Sequence, residues 1–128
     1  WDRKTACNVT FIGLRKDRSK LYLDIEKRVE KMFDRGLVKE VESLVGQGHK
    51  DSLSLKQAVG YKEVIEFLEK RISLEECMDE VKKNSRRLAK KQMTWFGRDS
   101  RINWIRVDNY DNMFDLIIDT LKVIDREL

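Results

Sequence analysis

The side chains best placed to do chemistry in this sequence are cations. Lys82, Lys83, Arg86, Arg87, Lys90, Lys91 and Arg98 recur in two rows spaced by four, and no acid lies between Glu80 and Asp99. At helical pitch they fan over one half of a cylinder. A helix that merely faces water mixes in acids to form i,i+4 pairs. Six cations within ten residues, with no acid among them, repel one another and favour an anionic partner. The blander reading is a solvated face. Tyr61 and Lys62 add a ring for stacking next to a cation for phosphate. Arg28 sits at the edge of an apolar helical face, where two readings stand. Its stem can lie on the core with the head in water, or its guanidinium can point into a cleft beside a sheet. The one histidine, His49, lies in a Gly-rich turn, and the sequence holds no Gly-rich phosphate loop. Cys7 and Cys77 are far apart without CxxC spacing. That supports neither a zinc site nor a disulfide framework, and it fits a reducing, cytoplasmic setting.

Few elements are needed to position these groups. Ser73 and Glu76 have capping-box spacing and open a helix from Ser73 to about Arg98. Along it Leu74, Met78, Val81, Leu88 and Trp95 form a stripe expected to face a core, interrupted by the polar Ser85 and Gln92. Upstream, Asn8 to Leu14 is β-branched and apolar and predicts a strand buried on both faces. Asp17 is expected to cap a helix to Arg35, with Leu21, Ile25, Val29 and Met32 inward and Gly36 as its stop. Leu37 to Val45 predicts a second helix, followed by the loop GQGHKDS. Ser54 and Gln57 read as another capping box, opening a helix through about Glu69 with Val59, Ile65 and Leu68 inward. Gly60 would then sit mid-helix, at a cost of about 1 kcal/mol relative to Ala, which implies a close approach to the backbone there. Arg101 to Val107 predicts a second strand. Asp111 is the expected cap of a last helix carrying Phe114, Ile117, Ile118, Leu121 and Ile124.

A chain of 128 residues with net charge +4 and 39% charged residues fits one surface-rich domain over residues 1–128. Two distant strands, each followed by a helix, join most simply as parallel members of one sheet. The expected class is α/β, mostly helical, with two strands and four to five helices. No apolar run approaches the roughly 20 residues of a membrane span, so no membrane partner is expected. The chain opens on Trp1 and runs quickly into a strand, which reads as part of something longer. Inner strands cut from a larger sheet leave open edges, so self-association is expected.

Three segments carry a resemblance. IEKRVEKMFDRGLVKEV (Ile25 to Val41), AVGYKEVIEFL (Ala58 to Leu68) and SRRLAKKQMTWFGRD (Ser85 to Asp99) resemble, in this order and spacing, the carboxy-terminal part of the tRNA dimethylallyltransferases, also called tRNA isopentenyltransferases. The resemblance implies a P-loop-type parallel-sheet core. It implies transfer of a dimethylallyl group from dimethylallyl diphosphate to N6 of the adenine beside the anticodon, with Mg²⁺ required by the complete enzyme and no cofactor bound by this chain alone. It places Arg28 near the diphosphate. It places Gln57, Ala58, Val59, Gly60, Tyr61 and Lys62 against the tRNA anticodon stem-loop, together with Arg86 and Lys90, Lys91, Gln92, Met93, Thr94, Trp95, Phe96 and Gly97. The chain departs from the family pattern at Lys91, where Arg is usual, and at Gly97, which replaces the Arg of TWFR and leaves Arg98 one place later. The family's phosphate loop and acidic general base have no counterpart here, so no catalytic residue is assigned and the chain alone is expected to be inactive. Judged on its residues without the resemblance, the chain also reads as a basic RNA-binding or partner-binding helical module without chemistry.

Overall fold

Two short apolar runs pair first. The computed structural model describes residues 7–127, and in it β1 (Phe11–Arg15) lies parallel to β2 (Ile102–Arg106), with Phe11 opposite Ile102 and Arg15 opposite Arg106. Gly13 stands opposite Trp104, and a Cβ on it would come within 2.7 Å of the indole ring, so the close approach of the two strands requires glycine. Cations cover the rings on either side. The Arg15 guanidinium lies 4.7 Å from the Trp104 centroid and that of Arg101 lies 4.7 Å from Phe11, contacts worth about 0.5–1 kcal/mol each where exposed. The expected burial of the first strand on both faces does not occur. Leu14 is exposed and the rest of β1 is half-buried, because no third strand pairs with it among the described residues.

Among the described residues there are six α-helices: α1 (Arg18–Asp34), α2 (Leu37–Gly46), α3 (Leu53–Gln57), α4 (Tyr61–Leu68), α5 (Leu74–Phe96) and α6 (Met113–Glu127). A 3-10 turn, Val107–Asn109, leads from β2 toward α6. The helix count exceeds expectation because the helix predicted from Ser54 to Glu69 is broken. Its cap is Ser52, whose side chain makes no cap bond, and Ala58 is extended at φ −68°, ψ 129°. Gly60 follows at φ +100°, ψ −48°, a conformation that side chains resist. It is the N-cap of α4, not a mid-helix residue.

The described chain divides into two compact units, residues 7–20 with 92–127, and residues 21–91. In the helical unit, Leu37, Val41, Val64 and Cys77 are buried together, with Met32, Phe33, Tyr61 and Ile65 packed around them. Each fully buried Val is worth about 1.5–3 kcal/mol. The other unit holds the sheet and α6. There Asn112, not Asp111, caps the helix. Its Oδ1 accepts the Asp115 N–H at 3.0 Å, and its amide donates to the Asp115 carboxylate at 3.1 Å. Both residues suit a cap, but only Asn112 lies three places before an acid that completes the reciprocal pair. Only Leu116 of α6 is buried, and Met113, Phe114, Ile117 and Leu121 are exposed.

Candidate nucleic-acid interface

The long basic helix begins as its sequence dictates. The Glu76 N–H donates to Ser73 Oγ at 3.1 Å and the Ser73 N–H to Glu76 Oε2 at 3.4 Å, closing the capping box. Of the apolar stripe only Val81 is buried, with Cys77 beside it near this end. Leu74, Leu88 and Trp95, expected to face a core, are exposed, and Trp95 reaches 64%. Periodicity marks a stripe that could be covered, and no element among the described residues covers its far half.

Two of the seven cations are answered from another helix. Lys82 Nζ lies 3.0 Å from Glu30 and Arg86 Nη1 lies 3.0 Å from Glu26, so two carboxylates one turn apart on α1 meet two cations one turn apart on α5. Lys83 stands 3.9 Å from Glu80 on its own helix. Arg87, Lys90 and Lys91 are exposed and form no ion pair among the described residues. The basic face thus divides into a strut, Lys82 and Arg86, and an open row, Arg87, Lys90 and Lys91. Arg86 was grouped with the open cations in the sequence, but it is half-buried and engaged.

The segment Gln57–Lys62 spans the α3–α4 connection, with Gln57 closing α3 and Tyr61 opening α4. Gln57 is exposed, Ala58, Val59, Tyr61 and Lys62 are half-buried, and Gly60 is buried. Tyr61 turns its ring onto the core cluster and donates its hydroxyl to Glu40 Oε1 at 2.9 Å. That bond, more than burial, raises the phenol above its ordinary pKa. Beneath the segment is Glu63, which sequence reasoning missed. It is 3% exposed. Its Oε2 accepts the Gly60 N–H at 2.6 Å and its Oε1 accepts from the Asn84 amide at 2.8 Å. The G-x-x-E spacing was the available signal, obscured by the competing Ser54 and Gln57 pattern.

Arg28 is exposed on α1. It lines a hollow of about 330 Å³ with Asp24, Lys27, Lys31, Met32 and Arg35. Four cations against one acid make the hollow suited to an anion. Its cationic neighbours recur at helical spacing, a pattern the sequence held. Among the described residues no group of three or more His, Cys, Asp or Glu side chains comes together.

At the far end, Gln92, Thr94, Trp95, Phe96 and Gly97 are exposed and Met93 is half-buried. The Trp95 and Phe96 rings lie 6.1 Å apart, tilted by 35°, an exposed aromatic pair of the kind on which bases stack. The helix ends at Phe96, and the Gly97 N–H still reaches the Met93 carbonyl at 2.9 Å. Among the described residues, no helix is long and apolar enough to cross a membrane.

The family model described as IPP transferase matches residues 2–99. The chain belongs to this family. It is 44% identical over 115 residues to the tRNA dimethylallyltransferase of Alkaliphilus oremlandii, covering 90% of this chain and 37% of that protein. The tRNA dimethylallyltransferase of Bacillus anthracis is 43% identical over 110 residues, covering 86% and 35%. Among solved structures, the full-length tRNA isopentenylpyrophosphate transferase of Bacillus halodurans superposes with a TM-score of 0.89 at 35% identity, over 98% of this chain and 41% of that one. The corresponding transferase of Staphylococcus epidermidis gives 0.82 at 37% identity, over 91% and 38%. The mostly helical α/β chain with its parallel strand pair is thus part of the P-loop-type fold of the IPP transferases. It spans little more than a third of the length of the curated relatives named above.

Proposed function

We propose that this chain is the tRNA-docking portion of a cytoplasmic tRNA dimethylallyltransferase, and that it supplies one arginine on the diphosphate side of the reaction. The observation that carries the docking role is the row Arg87, Lys90 and Lys91, which is exposed and free of ion pairs among the described residues. Phosphates of the anticodon stem-loop would lie along that row and give affinity. In the transfer, the adenine N6 attacks C1 of the dimethylallyl group and the C1–O bond breaks. Diphosphate leaves with the bonding pair, and N6 loses a proton to a base. Of these needs, charge stabilisation of the leaving diphosphate falls to Arg28 in its cationic hollow. The family likeness assigns the base and the phosphate loop no position in this sequence. The bare stripe of Met113, Phe114, Ile117 and Leu121 and the two-stranded sheet favour association of the isolated chain with itself.

The test is the salt dependence of anticodon stem-loop binding by the complete enzyme. Lys90→Ala and Lys91→Ala should each lower the slope of log affinity against log salt by about 0.7–0.9. Arg86→Ala should lower it less, because Glu26 already holds that guanidinium. Unchanged slopes for both lysine variants, with the fold intact, would make the row a solvated face and end this reading.

A further inference from the structure

Glu63 is the one charged side chain fully buried among the described residues. Taking a carboxylate out of water is costly unless its oxygens are satisfied, and an apolar residue of similar volume would fill the space at less cost. What the carboxylate gives in exchange is geometry. One oxygen holds the N–H of Gly60 at 2.6 Å, in a backbone conformation that glycine alone adopts readily. The other takes the Asn84 amide of α5 at 2.8 Å, two residues before Arg86. Lys62 Nζ stands 3.8 Å from that same oxygen. A single side chain therefore ties the Gln57–Lys62 connection to α5, the helix that carries Lys90 and Lys91. The bonds run entirely within residues 21–91.

The geometry points to Glu63 and Asn84 as positioning residues for tRNA: their hydrogen bond holds the α3–α4 connection against the basic helix in the arrangement that the anticodon stem-loop meets. This rests on the docking role proposed above. Neither residue touches the reacting atoms, so their loss should weaken tRNA capture while turnover at saturation stays near its starting value. Polarity decides the outcome at this pair. Glu63→Gln keeps an acceptor for Gly60 and lets the Asn84 amide turn over to accept, so it should behave nearly as the parent. Asn84→Asp sets two carboxylates against each other. The double variant Glu63→Gln/Asn84→Asp restores one donor and one acceptor.

The experiment measures KM for an anticodon stem-loop RNA, kcat and melting temperature in the complete enzyme. Asn84→Asp should raise KM about tenfold or more, as loss of a charge-assisted hydrogen bond does, with kcat within about twofold. The double variant should return KM most of the way. Val41→Ala, a core truncation remote from these bonds, should lower the melting temperature without raising KM. The inference is overturned if KM is unchanged in Asn84→Asp, if the double variant fails to recover, or if KM follows melting temperature through Val41→Ala as well. Should Lys90→Ala and Lys91→Ala also leave RNA affinity untouched, the docking role itself has failed. If those two weaken binding and Asn84→Asp does not, only the positioning role falls.

Discussion

Replacing Gly60 with alanine tests the break between α3 and α4 by sign alone. At φ +100°, ψ −48° a Cβ would meet Met32 Cε at 3.7 Å and Leu37 Cδ2 at 4.0 Å, which is ordinary contact. No clash is involved, so the cost lies in the backbone, about 1–3 kcal/mol for holding a residue with a side chain in such a region. The methyl group also stiffens the unfolded chain, which returns about 0.4–1 kcal/mol. The net expectation for Gly60→Ala is destabilisation by about 1–2 kcal/mol, a factor of roughly 5–30 in the folding equilibrium. Gly46 closes α2 without a positive φ and has nothing within 4 Å of an added Cβ. Gly46→Ala should therefore be neutral or stabilising by up to about 1 kcal/mol. Guanidinium unfolding of both variants in the complete enzyme, compared by midpoint at unchanged slope, reads the difference. A continuous helix through Gly60 would make both substitutions stabilising. If Gly60→Ala raises the midpoint alongside Gly46→Ala, the broken-helix geometry and the Glu63 bond drawn from it are wrong.

Burial, and after it the charges of Glu63 and Glu66, push the Cys77 thiol up to about 11. At pH 8 only about one thiol in a thousand would then be thiolate. Iodoacetamide should label the exposed Cys7 and spare Cys77 until guanidinium unfolds the protein, whereas rapid labelling of Cys77 in the native state would refute its burial. The Tyr61 phenol is raised by its bond to Glu40 and then by burial. A group whose folded pKa is raised stabilises the fold below its unfolded value, about 10 for tyrosine, and loses that contribution as pH climbs through the folded value. The phenolate absorbance that disappears in Tyr61→Phe should accordingly rise above pH 10, and Glu40→Ala should move it down. A transition already at the ordinary value would show that the bond is not formed in solution.

The family was legible because three segments carry its pattern in register, and the elements were legible wherever their signals were local. Ser73 and Glu76 are three residues apart, so the cap of α5 follows from spacing alone. The run from Phe11 and the run from Ile102 each announce a strand. The parallel pairing follows from the helices placed between them. The last cap was ambiguous because Asp111 and Asn112 are both competent and adjacent. At the candidate interface the segments proposed to meet tRNA came from the family likeness, and the side chains that support them were not named. The burial of Glu63 depends on Asn84, 21 residues further along the chain, and no local period encodes that partner.

What the sequence determined by itself was what depends on neighbours within about one turn of helix or along one strand: helix faces, apolar strand runs, the Ser73–Glu76 capping box and the grouping of six cations on one side of α5. The tertiary structure decided which of those cations are open. Glu30 reaches Lys82 across 52 residues and Glu26 reaches Arg86 across 60, and no local period encodes the approach of α1 to α5. It also decided which apolar stripes are covered. Leu88, Trp95 and the outer face of α6 have the spacing of core positions, yet they remain exposed. Amphipathic periodicity states that a face can be buried; only the arrangement of the other elements states whether anything lies against it.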